Sequence, residues 1–278
     1  MKERNAMNRW MPALIMGAVC LPGCSHLESI HKSMGGSAVT EKQVSEAGEP
    51  VQCASQFTSG PAHSGEPSPR QDGGKAYLDA VYWCTKAAEK GDSRAQYLLA
   101  ILYEKGAGVT KNQQTAIRWF RQSAEHGNAD AQFRMGLIHG KGEGVPLDKS
   151  EATRWYAMAA SQGNADAQFF MGYRYEHGKG IAQSYPEAWR WYLKAAEQGN
   201  ASAMHYLGGM VLEGRGIPQN HMEAYKWYNL AAATGDKNYV TSRDKVAKKL
   251  SPRQLEEGQK LAGEWARSHS APWRSSYP

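Results

Sequence analysis

The sequence predicts an all-α protein, a right-handed α-solenoid of 36-residue helix pairs that is closed by C-terminal capping helices. Tryptophan stands at positions 83, 119, 155, 191 and 227, with an alanine three residues before and a glycine eight residues after each one. Between these markers lie paired glycines of the form G-x-G, which begin at positions 106, 142, 178 and 214. A fixed period of this length over residues 75–235 indicates a repeat array.

Each period contains two predicted helices, as residues 128–162 illustrate. Asn128 is placed to cap the first helix, because its side-chain oxygen can accept a hydrogen bond from a free backbone N–H. Ala131 and Met135 follow on one face at helical spacing. Gly142 permits the positive φ of the turn that ends this helix. One helix pair cannot bury its tryptophan alone, so we expect the repeats to stack, with small residues such as Gly136 admitting a neighbour's tryptophan.

The end of the chain continues the helical pattern in a different form. Residues 236–269 predict two capping helices, and Ser251-Pro252 has the composition of a helix start. Residues 270–278 predict a flexible tail. We therefore expect the array to be closed at its C-terminal side by helices that lack the repeat signature.

Composition excludes several classes of protein. The chain has 278 residues, 41% of them hydrophobic, with 9 Trp and 14 Tyr, which is too aromatic for a disordered chain. After residue 24 no apolar stretch is long enough for a polytopic membrane protein. The net charge of +6 is spread along the sequence, so we expect no nucleic-acid partner. No catalytic constellation and no metal-ligand spacing stands out, and we expect neither a metal nor another cofactor.

The first 23 residues predict an export signal, because Lys2, Arg4 and Arg9 precede the apolar segment 10–20. The sequence Leu-Pro-Gly-Cys that ends at Cys24 resembles the lipobox of bacterial lipoproteins. That resemblance implies cleavage before Cys24, lipidation of this cysteine and membrane attachment through several acyl chains. In the lipoprotein pattern, a serine after the cysteine favours the periplasmic face of the outer membrane. The alternative is an ordinary secretory signal.

Residues 24–74 predict a flexible tether, since they contain many Ser, Gly and Pro residues and a single aromatic residue. Of the four cysteines, Cys20 would leave with the signal peptide and Cys24 would carry lipid. Cys53 and Cys84 remain as a pair that can form a disulfide in an oxidising compartment. The alternative is two free thiols.

The repeat pattern resembles the Sel1-like repeat family, a relative of the tetratricopeptide repeat. The motif A-x-A-Q-x-x-L/M-G, followed by Y-x-x-G-x-G-V and A-x-x-W-Y-x-x-A-A-x-x-G, is nearly complete in residues 165–199. The first predicted helix forms half a repeat, and four full repeats follow it. The resemblance implies a non-enzymatic, monomeric, protein-binding molecule, in which the first helix of each repeat lines a concave surface.

Residues on the first helices that vary between repeats are candidates for recognition, because the fold does not dictate them. Aromatic and arginine side chains are concentrated there in the middle of the array, and this composition is typical of protein interface hot spots. The alternative is that these rings serve only the packing between repeats. The candidate partner-binding residues are Arg134, Phe170, Tyr173, Arg174, His177 and Tyr206.

A second column places a cation directly before the last four tryptophans: Arg118, Arg154, Arg190 and Lys226. A solvated face and a site for an acidic partner are both compatible with it.

Two roles and one different class of function are compatible with these patterns. Similar Sel1-like lipoproteins include immunity proteins that block phospholipase toxins delivered by type VI secretion, and a basic inhibitor suits an acidic toxin. The other role is a scaffold for envelope or polysaccharide-export assembly. An enzyme acting on β-lactams would need a nucleophile, and Ser242-x-x-Lys245 is the one motif that matches the S-x-x-K pattern.

Overall fold

The computed structural model describes residues 53–54 and 71–269, and for residues 71–76 the backbone alone. These residues belong to one compact unit, Glu49–Pro278. The predicted signal peptide, the lipidation site Cys24, the tail 270–278 and the tether outside Cys53, Ala54 and residues 71–74 lie outside the described residues.

Residues 71–269 form eleven α-helices, and no strand occurs in this part of the chain. Consecutive helices pack against each other from the first helix to the tenth, and the eleventh helix packs against the ninth. The predicted all-α solenoid of helix pairs is thus confirmed. The helices are α1 (Gln71–Glu89), α2 (Ser93–Lys105), α3 (Gln113–Glu125), α4 (Ala129–Lys141), α5 (Lys149–Ser161), α6 (Ala165–His177), α7 (Tyr185–Glu197), α8 (Ala201–Glu213), α9 (His221–Ala232), α10 (Lys237–Ala247) and α11 (Pro252–Ser268).

Helix α1 begins at Gln71, inside the segment predicted as tether and four residues before the predicted start of the solenoid. The sequence did not predict a helix there because Gly73 and Gly74 are poor helix formers. Glycine in the first turn of a helix costs only about 1 kcal/mol relative to alanine, which the packing of the following turns outweighs.

The ends of the repeat helices follow the sequence signals. Asn128 accepts a hydrogen bond from the backbone N–H of Ala131 at 2.9 Å and so caps α4. Gly142 ends the same helix with φ of 73°. The same cap and stop recur at the ends of α6 and α8. The capping helix α11 begins as predicted at Pro252, where Ser251 and Gln254 form a reciprocal capping box.

In the last three repeats, the ring that packs against the glycine of the first helix belongs to a tyrosine and not to the periodic tryptophan, which corrects the sequence expectation. Tyr156 is 2% exposed, and a Cβ placed on Gly136 would come within 2.5 Å of its ring. Trp155 is only partly buried. Tyr156 shares one helix face with Ala152, Ala159 and Ala160 at spacings of four, three and four residues, and this face is the centre of the helix contact.

A glutamine near the start of each of the first three full repeats connects neighbouring helices. Gln132 donates to the backbone carbonyl of Ala124 in the preceding repeat at 3.1 Å. Its own amide oxygen accepts from Gln162 at 2.7 Å. Equivalent bonds are made by Gln96 and Gln168. The fourth full repeat has a buried Met204 in this position, so an apolar contact replaces the polar one there.

Cys53 and Cys84 form a disulfide in which both residues are fully buried. The bond joins the helical residues 53 and 54 to α1. No helix among the described residues is both long and apolar enough to cross a membrane.

We expect a Cys84→Ser variant to be less stable by about 2–4 kcal/mol, since the bridge closes a chain segment whose ends are 31 residues apart. The loss should concentrate in α1 and α2, because each repeat contacts only its neighbours. Amide hydrogen exchange of oxidised protein, reduced protein and the variant measures this. Equal protection of α1 in all three samples would show that the bridge does not support the first helix.

Candidate protein-binding site

Three of the six predicted partner-binding residues line one pocket of about 230 Å³, called here the central pocket. It lies where the second and third full repeats meet, and helices α4, α5 and α6 each contribute to its wall. Tyr156 and Arg174 form the buried part of its lining. The partly buried part consists of Leu137, Gly140, Phe170 and Tyr173. That these residues contact a partner stays a prediction.

Aromatic rings form much of this wall. Phe170 stacks on Tyr156 with ring centroids 5.0 Å apart and an angle of 16° between the planes. Phe133 and Phe169 contact the same ring of Phe170 at 5.6 and 5.4 Å. Burial raises the pKa of Tyr156 to about 12, so its hydroxyl stays protonated. Phe170 therefore fits both interpretations of the sequence. It packs between repeats, and it also lines the pocket where a partner could reach it.

Arg174 is part of the pocket but is 7% exposed. Its Nη1 donates to the backbone carbonyls of Lys149 and Lys179, both at 2.8 Å, and to the hydroxyl of Thr153 at 3.1 Å. The guanidinium lies 5.0 Å from the centre of the Tyr156 ring. Burial lowers the pKa of Arg174, yet a guanidinium remains charged at neutral pH. Arg174 thus connects the two repeats and supplies positive charge at the pocket wall.

Three lysines outside the six candidate residues complete the pocket. They come from the end of α4, from the start of α5 and from the turn after α6. The ammonium group of Lys179 donates to the Tyr173 hydroxyl at 2.7 Å and lies 4.5 Å from the ring centroid. A comparison of the residue between the paired glycines across the repeats would have drawn attention to Lys179. The three lysines are Lys141, Lys149 and Lys179.

Tyr206 and His177 lie beside the pocket without lining it. The ring of Tyr206 meets that of Tyr173 edge to face at 5.9 Å. The imidazole of His177 lies 4.2 Å from the Tyr173 ring, and its Nδ1 is 2.9 Å from the Tyr173 carbonyl. Burial raises the pKa of Tyr206. Both side chains therefore extend the surface around Tyr173.

Arg134 belongs to a different place on the array. Its guanidinium pairs with Glu104 of the preceding repeat and lies 5.4 Å from the centre of the Phe120 ring. It does not line the central pocket. The structure thus brings five of the six candidate residues together and leaves Arg134 as a contact between the first two full repeats.

Three of the four cations that precede the tryptophans form ion pairs with acidic side chains of their own helices. Arg154 pairs with Glu151 at 2.9 Å and Arg190 with Glu187 at 2.6 Å. Lys226 pairs with Glu223 at 2.8 Å. Because an acid three residues earlier pairs with these cations, the column offers little free positive charge to an acidic partner.

Ser242 lies within α10, and its hydroxyl donates to the backbone carbonyl of Asn238 at 3.0 Å. The hydroxyl proton is thus engaged by its own helix, as is common for helical serines. Among the described residues no group of three or more His, Cys, Asp or Glu side chains is arranged to hold a metal ion.

The stacked helix pairs define a helical-repeat protein. A family model of the Sel1 repeat matches residues 67–92, 93–128, 129–164, 165–200 and 201–236. The chain belongs to the Sel1 repeat family, whose members mediate protein–protein interactions. Comparison with curated proteins gave no significant match.

Two solved structures share this architecture. The protein c5321, a protective antigen of uropathogenic Escherichia coli, superimposes with a TM-score of 0.73 and 29% identity over 91% of this chain. The match spans 54% of the c5321 chain. A Sel1 repeat protein from Oxalobacter formigenes gives a TM-score of 0.64 and 26% identity over 86% of this chain and 97% of its own.

Immunity protein Pa5087 from Pseudomonas aeruginosa is also a structural match, with 22% identity over 79% of this chain and 86% of its own. The TM-score of 0.45 is too low for this match to bear on function.

Proposed function

We propose that this protein is a non-enzymatic periplasmic lipoprotein that holds a protein partner on the first-helix surface around the central pocket. The observation that carries this proposal is the pocket itself, with stacked aromatic rings beside positively charged groups. Aromatic and arginine side chains are over-represented among the residues that dominate binding energy at protein interfaces.

Two features support the periplasmic location. The start of the chain has the charge and apolar pattern of an export signal and a lipobox-like sequence that ends at Cys24. The disulfide between Cys53 and Cys84 suits an oxidising compartment, because such bonds persist outside the reducing cytosol.

We expect a Cys24→Ala variant to leave the membrane fraction and to accumulate in soluble extracts, because the acyl chains would lose their attachment site. Cell fractionation with immunodetection measures the distribution, and Ser33→Ala, a substitution further along the predicted tether, serves as the control. Persistence of Cys24→Ala in the membrane fraction would contradict lipid anchoring.

As its biological role, we propose that the protein neutralises a secreted phospholipase effector of the type VI system. The chain from Cys24 onward keeps a net charge of +4, and this charge and the cationic pocket favour an acidic partner. Attraction between opposite charges accelerates the approach of such a partner. Co-expression with the captured effector in the periplasm tests the role, since an immunity protein restores growth.

The partner is identified by capture on the immobilised full-length protein from envelope and secreted fractions, followed by mass spectrometry. Recovery of a lipase-like toxin whose toxicity this protein relieves supports the immunity role. Recovery of envelope assembly proteins instead would replace that role with a scaffold. Failure of the folded protein to retain any partner would contradict the protein-binding proposal.

A further inference from the structure

We propose that the central pocket recognises an acidic side chain of the protein partner, a glutamate or aspartate presented next to an aromatic residue. The inference rests on the proposed function, because it names the chemistry of the partner at the same site.

The charge of the pocket is the first argument. Its lining contains four cationic side chains and no acidic one. Lys141 is paired with Glu143 at 3.2 Å, just outside the lining. Lys149 is exposed and Lys179 is partly exposed, so the charges of both are within reach of a group that enters from solvent. A carboxylate there would meet several N–H donors, and charge-assisted hydrogen bonds of this type are stronger than neutral ones.

The other repeats allow a comparison within the same chain. Most residues that line the pocket have counterparts 36 or 72 residues earlier or later in the sequence. The position of the buried Arg174 is occupied by the aliphatic residues Leu102, Ile138 and Met210 in the other full repeats. The fold thus accepts an apolar side chain at this place. A guanidinium is costly to bury, and no other full repeat has a charged residue here.

The Nε of Arg174 has no hydrogen-bond partner in the part of the chain that the structure describes. The position of Lys179 is likewise taken by Ala107, Glu143 and Arg215 in the other repeats. Arg174 and Lys179 therefore make this junction between repeats different from the other junctions in the array.

The opening of the pocket has a specific cause. Gly140 stands where the other full repeats have Glu104, Glu176 and Leu212. A Cβ at Gly140 would lie 3.3 Å from Nη2 of Arg174 and 3.5 Å from the Tyr156 hydroxyl. A long side chain in its place would occupy the pocket, so the glycine leaves the cations and rings accessible.

Size and shape then select the occupant. A volume of about 230 Å³ accommodates one large side chain and excludes a folded element. The aromatic wall formed by Phe170 and Tyr173 favours a ring beside the carboxylate, because rings pack well edge to face. A protruding loop of the partner with an acidic residue next to an aromatic one meets both conditions.

The test uses two dipeptide probes and the full-length protein in detergent. The probes are N-acetyl-Glu-Phe-amide and its neutral counterpart N-acetyl-Gln-Phe-amide, and saturation-transfer NMR reports their binding. We expect the acidic probe to bind about tenfold more tightly than the neutral one, with the preference decreasing as salt is added.

Three variants locate the effect. Lys149→Gln combined with Lys179→Gln should weaken the acidic probe about tenfold. Lys237→Gln combined with Lys260→Gln removes the same charge from the capping helices and should change nothing. Gly140→Leu should prevent binding of both probes, and circular dichroism verifies that each variant keeps its helices.

Equal binding of the two probes, no saturation transfer to either probe, or a Lys149/Lys179 variant that binds like the native chain would overturn the inference. Partner capture separates this failure from that of the proposed function. If the native chain and the Lys149/Lys179 variant retain the partner equally, the acidic-residue inference fails while the protein-binding proposal stands.

Discussion

Replacing both Phe170 and Tyr173 with alanine is expected to lower the affinity for the captured partner by at least about 30-fold, which corresponds to about 2 kcal/mol for a hot-spot pair. The two rings face the central pocket, and Tyr173 also contacts His177, Tyr206 and Lys179. Replacing them removes the apolar wall of the pocket. The Lys179 ammonium group also loses the Tyr173 hydroxyl, to which it donates a hydrogen bond. Surface plasmon resonance with the immobilised partner measures the change.

The matched control replaces Leu147 and Met158, two apolar residues that are 58% and 41% exposed and do not line the central pocket. Their double alanine variant should bind like the native chain. Because Phe170 also stacks on Tyr156, the helicity and the unfolding midpoint of each variant are needed beside the affinity. Unchanged affinity of the Phe170/Tyr173 variant would place the interface elsewhere on the array.

Gly172→Ala is expected to reduce the free energy of unfolding by about 1–3 kcal/mol, even though alanine is the better helix former. The new Cβ would lie 2.5 Å from Cδ1 of Tyr192 and 2.7 Å from its Cε1. Tyr192 is fully buried, and its hydroxyl donates to Glu176 at 2.6 Å, which leaves the ring little freedom to move away. Urea unfolding followed by circular dichroism measures the loss.

Gly209→Ala is the control for this prediction, since it places the same methyl group in a neighbouring first helix. There the Cβ would meet the terminal Nη2 of Arg215 at 3.2 Å, and this partly exposed side chain can shift. We expect equal or slightly higher stability, because the gain in helix propensity is about 1 kcal/mol. A Gly172→Ala variant as stable as Gly209→Ala would show that the ring contact does not constrain the helix pair.

The sequence predicted the fold because its signals are local and repeated. Caps such as Asn128 and stops such as Gly142 act within one helix turn, and the period multiplies each signal. Which ring is buried depends on the angle at which two helices meet. Because the tryptophans recur most regularly, the sequence predicted that Trp155 would be the buried ring. The structure instead places Tyr156 at the centre of the contact.

The candidate site was only partly predictable for a related reason. Phe170 and Tyr173 lie on one helix face and can be found by counting along α6. Lys149 begins another helix and Lys179 lies in a turn, and only the packing of three helices places both beside those rings. The burial of Arg174 follows from carbonyls that come from two separate segments.

The glutamine bonds between repeats also bear on how such a chain can evolve. Gln132 forms hydrogen bonds with a backbone carbonyl of the preceding repeat and with the side-chain amide of Gln162 in its own repeat. Gln168 makes the same two bonds one repeat later. A duplicated copy of residues 129–164 would therefore meet matching partners on both sides. Unequal recombination can lengthen or shorten the array without creating a new type of junction, and the surface formed by the first helices grows or shrinks with it.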